Sequence, residues 1–349
     1  MRAVVVGAGA VGVRAARQLL FLGDVESLAV VEPKRARLDA VVESLGEPAI
    51  AVDDIATAVA TATATHAATH AATHNQGAGV VILAGPRGHR AAAEAALDQG
   101  VSVVSVSDDV DDVRDLLALD AEAVERGVHV VVGAGFSPGL SCVLAAHAAR
   151  SFEHVEEIHV AKVGTGGPAC AGQHHIALQG PALDSVGGVW QRRRGGSGRA
   201  LIWFPDPICG VDCYRAALAE PLLLTPVFPG AERVTARVGA NRRDRLTAHL
   251  PMLRRPHPEG TLGAVRVEVR GRQGEVRSDR VLGALDRPAV AAGAVAALAA
   301  RWAVDGRLAR TGAAGLASLV DPGPFLAALA DRGVKAAVFE GAGASANQA

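Results

Sequence analysis

Gly7-Ala8-Gly9-Ala10-Val11-Gly12 places three glycines in G-x-G-x-x-G spacing. They sit between an apolar run, Ala3–Val6, and a helix-forming stretch, Val11–Leu22, and Glu32 closes the next apolar run. Each position has a physical job. Gly7 permits a tight turn, Gly9 lets backbone approach a diphosphate, and Gly12 lets helix and strand pack closely. A helix starting at Ala10 and Val11 offers free N–H groups and the positive end of its dipole to phosphate oxygens. Glu32 can accept hydrogen bonds from ribose hydroxyls. Its charge repels a 2′-phosphate, which favours NAD. Lys34, Arg35 and Arg37 follow at once and could grip that phosphate, so NADP is the alternative. Asp53, after the third apolar run, is counted with the cofactor-side residues.

A second glycine stretch, "VHVVVGAGFSPGLS" at 128–141, contains G-x-S-x-G with Ser137 at its centre. A hydrolase nucleophile in that motif needs the next residue to donate its N–H to an oxyanion. Pro138 has none, and it biases Ser137 toward extended backbone. The spacing instead predicts Ser137 as N-cap and Pro138 as the first residue of a helix over Gly139–Ser151.

Lys162 is the only lysine between Lys34 and Lys335, and it falls on a predicted strand. "GGPACAGQHH" ends in His174-His175, and "FPDPICGVDCYR" carries Asp206, the sole tyrosine Tyr214, and Arg215. His174, His175 and Lys162 are the candidates for moving a proton, since modest shifts bring their pKa values near neutrality. Asp206, Tyr214 and Arg215 are candidates for holding a substrate. Cys170-x3-His174 and Cys209-x3-Cys213 offer four soft ligands for zinc if both pairs lie on helices. The spacing is not the tight C-x2-C of a zinc ribbon, and no metal is expected. His66, His70 and His74 recur every fourth residue, yet no acidic or cysteine partner is nearby. They read as low-complexity sequence on an exposed helix.

These residues need a scaffold, and the pattern supplies one. Up to about residue 135 short apolar runs (Ala3–Val6, Ser27–Val31, Ala49–Val52, Val80–Leu83, Val101–Val106, Val128–Val132) alternate with helical stretches, including one over Val110–Arg126. That predicts an α/β doubly wound parallel sheet of the Rossmann type. Beyond residue 150 longer strands are predicted at Val155–Val163, Arg199–Phe204, Val234–Val238 and Leu262–Arg270, with Val265, Val267 and Val269 on one face. "VWQRRRGGSGRALIWF", 189–204, predicts a hairpin around its Gly/Ser tip. The expected organisation is a dinucleotide-binding domain over 1–137 and an α+β domain with a largely antiparallel sheet over 138–287. Helices and a strand over 288–340 pack back between them, and 341–349 is a disordered tail.

The 349 residues suit about two domains. Thirty-five basic side chains against 36 acidic ones leave no whole-chain field to recruit nucleic acid or a membrane surface. Arg14 and Arg17 interrupt the apolar start, and 289–304 is too short to span a bilayer. A soluble cytoplasmic protein is expected.

Four stretches resemble the saccharopine dehydrogenase-like family of NAD(P)-dependent oxidoreductases: "VVVGAGAVG", "VVILAGPRGHRAAAEAALDQGVSVVSVSDD", "GVHVVVGAGFSPGLSCVLA" and "DPGPFLAALADRGVKAAVFEG". "ALIWFPDPICGVDCYRAALAEPLLL" is similar to the family's substrate-domain segment, more weakly. The resemblance implies hydride transfer at a C–N bond of an amino-acid-derived amine or imine, and a homodimer paired through the second domain. It implies that Gly85 and Pro86 lie along the cofactor and Ser107 and Asp108 at the cleft. It also implies that Gly135, Phe136 and Pro138 lie near the nicotinamide. A cofactor-recycling cyclase and a non-catalytic dinucleotide sensor are the alternative functions on the same fold.

Overall fold

The computed structural model describes residues 1–63, 79–252, 256–334 and 336–339; His66, His70, His74 and the tail 341–349 lie outside them. The amino-terminal part alternates strand and helix: β1 (Arg2–Val6), α1 (Ala10–Phe21), β2 (Ser27–Val31), α2 (Arg35–Leu45), β3 (Ala49–Val52), α3 (Ile55–Thr63), β4 (Gly79–Leu83), α4 (Arg90–Asp98), β5 (Ser102–Ser105), α5 (Val110–Leu117), α6 (Asp120–Glu125) and β6 (His129–Val132). The single helix expected over 110–126 is two, α5 and α6, parted where Leu119 turns into the core.

The second part runs α7 (Leu140–Ala149), β7 (His154–Val163), α8 (Pro168–Ala177), β8 (Ala182–Val186), β9 (Val189–Arg193), β10 (Ala200–Trp203), β11 (Gly210–Arg215), α9 (Glu220–Leu224), β12 (Arg233–Gly239), α10 (Arg242–Thr247), β13 (Gly263–Gln273) and β14 (Val276–Asp286). The chain then returns through α11 (Pro288–Val304), β15 (Gly312–Gly315), α12 (Leu316–Leu319), α13 (Pro322–Ala330) and β16 (Ala336–Phe339).

The first sheet is parallel, in the order β15-β6-β5-β4-β1-β2-β3. The winding reverses at β1, which has β4 on one side and β2 on the other. The crevice that such a reversal opens lies at the carboxyl ends of the strands. Those ends carry Gly7–Gly12, Ala84–Pro86, Val106–Asp108 and Gly133–Gly139. Strands β1 and β4 to β6 are buried and valine-rich, as parallel strands covered on both faces should be.

The second sheet runs β10-β11-β12-β7-β13-β14-β16, with β8 against β12 and β9; only β12 and β7 pair in parallel. Val265, Val267 and Val269 lie on its buried face, packed against α7. The hairpin expected within 189–204 does not form. β9 turns back on β8 through Gly187-Gly188, both at positive φ, while β10 pairs with β11 across residues 204–209. A two-residue Gly-Gly turn between valines matches strand twist better than a longer Gly/Ser tip.

Helix α11 packs on the first sheet, against α1, β4 and β5. Its Gly293 faces α1 so closely that a Cβ there would stand 2.8 Å from the Ala15 amide nitrogen. The helix offers no long apolar span, and no helix among the described residues is long and apolar enough to cross a membrane.

At the first glycine loop, a Cβ on Gly12 would stand 1.8 Å from the Gly7 carbonyl oxygen, whereas one on Gly9 would meet nothing within 4 Å. Gly12→Ala is therefore expected to cost about 1–3 kcal/mol of stability. Gly9→Ala should stay within about 0.5 kcal/mol of the parent. Denaturant unfolding of the two variants checks the contrast.

Candidate active site

The glycine loop is held from behind. The Gly7 amide donates to the Val31 carbonyl at 2.8 Å. Glu32 accepts from the Ala8 amide at 3.1 Å and the Lys34 amide at 3.3 Å, and Arg37 stands 3.8 Å from the same carboxylate. The Glu32 side chain is 9% exposed. It works first as a clasp between the loop and the end of β2. Nothing in α1 competes for its N-terminal amides: Gly9, the extended residue before it, makes no side-chain cap and the first turn carries no acid.

In front of this loop opens a cleft of about 640 Å³, within the range of small-ligand sites. Gly9, Ala10 and Val11 line it, with Arg14, Arg17, Lys34 and Arg37 around that end. Gly85, Pro86, Ser107, Asp108, Gly135 and Phe136 line its length. Gly7 and Gly12 stand behind, as their packing roles require.

The far end is built by the second sheet. Strand alternation puts Ile158, Val160 and Lys162 on the same buried face of β7. Lys162 pairs in register with Val238 on one side and Val265 on the other. Its side chain is 4% exposed, and its ammonium donates to the Ser137 carbonyl at 2.8 Å and to Asp108 Oδ2 at 3.2 Å. Helix α8 brings His174 Nε2 to 3.7 Å from Asp108 Oδ2 and 3.6 Å from Cys170 Sγ. Gln173 donates to Asp109, which itself caps α5.

Burial governs the protonation states here. It pulls the Lys162 pKa down, but the carboxylates of Asp108 and Glu220 outweigh it, and the net shift is upward. Burial and the nearby Lys162 charge push His174 down to about 3, while burial and Asp108 push the Cys170 thiol up to about 11. At neutral pH the group is an ammonium, a neutral imidazole and a thiol. The modest shifts expected from the sequence do not occur for Lys162 and His174, because both are largely buried and Lys162 keeps a carboxylate partner.

Ser137 is not the N-cap of α7. Gly139, at φ +126°, stands at that position, and the Ser137 hydroxyl turns inward to donate to Glu220. Pro138 packs behind the cleft, where a Cβ on Gly133 would meet its ring at 2.9 Å. Glu220 is fully buried, and its Oε2 has no hydrogen-bond partner among the described residues.

Several expected residues lie elsewhere. His175 is one position past His174, so it points about 100° round the helix and reaches the Leu250 carbonyl at 2.7 Å. Tyr214 is buried core under the Arg245 guanidinium. Arg215 pairs with Asp184 at 3.1 Å on the other side of the second sheet. Asp206 accepts from the Cys209 thiol within an exposed turn. Arg35 and Asp53 pair with each other on the surface, outside the cleft. The four-ligand zinc set is not assembled: Cys209 is in that turn and Cys213 is on a strand, buried beside Phe204 and Ala264.

Glu220, the Ser137 carbonyl, Gln173, Arg14 and Arg17 escaped the sequence reading as site residues. Glu220 left one signal, a lone acid inside the apolar run "LAEPLLL". Such an acid is buried only beside a partner.

The glycine cradle, the basic rim and the cleft suit a dinucleotide, and with the two-domain architecture they define a nicotinamide-dinucleotide-dependent oxidoreductase of the Rossmann type. Residues 3–136 match the family model described as the saccharopine dehydrogenase NADP binding domain. That match and the fold as a whole support a likeness to the saccharopine dehydrogenase-like family. Among solved structures it is similar to apo histidine-tagged saccharopine dehydrogenase (L-Glu forming) from Saccharomyces cerevisiae. That match has a TM-score of 0.70 at 14% identity and covers 97% of this chain and 99% of that one. Amine dehydrogenase from Mycobacterium smegmatis matches with a TM-score of 0.54 at 12% identity, over 92% of this chain and 96% of that one. Both are likenesses of fold. No curated protein matches the sequence significantly.

The His174 shift has a sign that can be read in stability. The unfolded histidine takes up a proton below its ordinary 6.5, the buried one not until about 3. Between those values the unfolded state holds the extra proton, so stability falls as pH drops, by about 1.4 kcal/mol per pH unit. His174→Gln should remove that one-proton slope, measured as unfolding free energy across the window. An unchanged slope would contradict the burial of a neutral ring.

Proposed function

We propose that this protein transfers hydride between a nicotinamide dinucleotide, NADP(H) in preference to NAD(H), and a C–N bond of a small amino-acid-like amine or imine. The observation that carries the reading is the meeting of Lys162, Asp108 and His174 at the end of the cleft that starts at the glycine loop. When bound, the dinucleotide supplies or accepts the hydride. The work left to the chain is binding, orientation and one proton.

Asp108 is the charge that can hold a substrate cation, an ammonium or iminium. Lys162 keeps the Asp108 carboxylate oriented, and the Ser137 carbonyl keeps Lys162 from swinging into the cleft. His174, neutral beside Asp108, offers Nε2 as a hydrogen-bond acceptor that orients the substrate nitrogen as its proton leaves on oxidation and returns on reduction. The apolar walls from Phe136 and Val163 exclude water from that exchange.

The preference for NADP(H) rests on the rim. Glu32 is committed to two backbone amides and does not line the cleft, whereas Lys34 and Arg37 do. A 2′-phosphate placed past the loop meets cations there.

Nicotinamide absorbance, followed with a panel of amino acids and of keto acids plus amines, tests the reaction. Asp108→Asn and Lys162→Met are expected to lower kcat about 100-fold or more while dinucleotide affinity stays within about twofold. Tight dinucleotide binding with no turnover on any amine or imine would favour the sensor reading. Lys34→Glu with Arg37→Glu should raise KM for NADPH about tenfold or more and leave that for NADH little changed. Equal effects on both cofactors would remove the assigned preference.

A further inference from the structure

Three donor atoms of different chemistry meet at the inner end of the cleft. Cys170 and His174 stand one turn apart on α8, with Sγ 3.6 Å from Nε2. Asp108 arrives from the loop after β5 and brings Oδ2 to 3.7 Å from the same nitrogen. One ligand atom from each residue lies within 4.8 Å of the other two. A tetrahedral zinc ion with bonds of about 2.0–2.3 Å holds its ligands roughly 3.3–3.6 Å apart, so little movement would close these three around one ion.

We propose that Asp108, Cys170 and His174 form a site for one thiophilic divalent cation of the Zn²⁺ type, with the fourth coordination position facing the cleft. The donor set is soft enough to select such an ion over Mg²⁺ or Ca²⁺, which take oxygen ligands. It differs from the set the sequence suggested, because a carboxylate from the first domain replaces the two cysteines of the 209–213 segment.

The protonation states say what binding does. His174 is neutral and has a lone pair to give without losing a proton. Cys170 is a thiol, so the ion takes the place of its proton: the S–H bond breaks, a sulfur–metal bond forms, and one proton leaves for solvent. Lys162, 3.2 Å from Asp108 Oδ2, opposes the ion by charge and competes for the carboxylate. It therefore sets the affinity. On the functional reading above, the ion would also occupy the carboxylate and imidazole that the reaction needs and act as a reversible inhibitor. The binding itself does not depend on that reading.

The test uses the full chain, freed of metal and titrated with Co²⁺, then with Zn²⁺. A thiolate-to-cobalt charge-transfer band with intense four-coordinate d–d bands is expected, one ion per chain, displaced by Zn²⁺. Cys170→Ser should abolish the charge-transfer band and weaken Zn²⁺ binding in calorimetry about 100-fold or more. Cys209→Ser should leave both unchanged. Lys162→Met should tighten Zn²⁺ binding about tenfold or more, since a like charge is removed. Absence of the band in the parent, its persistence in Cys170→Ser, or no tightening in a folded Lys162→Met would overturn the site. Turnover plays no part in these readouts, so an inactive parent protein would count against the enzyme reading alone.

Discussion

The ammonium of Lys162 is buried where the two sheets meet, and much of the surrounding structure answers to it. An uncompensated charge in such a place costs several kcal/mol. The compensation comes from separate parts of the chain: the Ser137 carbonyl from the loop after β6, the Asp108 carboxylate from the loop after β5, and the fully buried Glu220 nearby. Each explains a local oddity. Ser137 gives up a helix cap to face inward, and α9 carries an acid within an apolar run. A buried ion pair is poor evidence of stability, because aliphatic side chains of similar volume hold an interface as well. Its presence at the cleft wall, beside a neutral imidazole and a thiol, is better explained by what a fixed charge does to a ligand.

The cleft has two ends of opposite character. At the glycine loop the charges are cationic and mostly exposed, and they stand beside open amides. At Lys162 they are dry and fixed. The first kind of site suits a polyanion whose charges are satisfied by many weak contacts. The second suits a small ligand that must be held to a few tenths of an ångström. Glu32 belongs to neither class. It accepts from the Ala8 and Lys34 amides and so shapes the loop.

The parallel sheet and the first glycine loop were legible because both depend on local pattern. Valine runs alternate with helices, and Gly12 is forced by a contact within its own loop. β15 was not legible: Gly312-Ala313-Ala314-Gly315 has no β-branched residue, and it becomes a strand only because β6 offers an unpaired edge. The reactive cluster was half legible. Residue type singled out Lys162 and His174, and the resemblance singled out Asp108, but nothing in the spacing shows that residues 54 and 66 positions apart from it would meet. The same limit made His175 look equal to His174, since one step along a helix is invisible until the helix has a neighbour. Asp206, Tyr214 and Arg215 were chosen by chemistry alone: Arg215 falls on the far face of the second sheet, Asp206 in an exposed turn, and Tyr214 is core two strands from Lys162.

One short segment joins the two ends. Lys162 closes the buried stretch of β7, the chain then crosses Gly164–Gly167, and α8 brings Cys170 and His174. On the way, Gly167 passes so close to the glycine loop that a Cβ there would lie 3.2 Å from the Ala10 Cβ. Gly164 and Gly167 have positive φ, and a Cβ on Gly164 would collide with residue 263 backbone at 2.4 Å. Positions 164 and 167 of the turn therefore favour glycine. Arg14 on α1 is paired with Glu259, whose neighbour Gly260 packs against Thr165 of the same turn. The strap that carries Cys170 and His174 is thus anchored both to the glycine loop and to the Glu259–Gly260 turn.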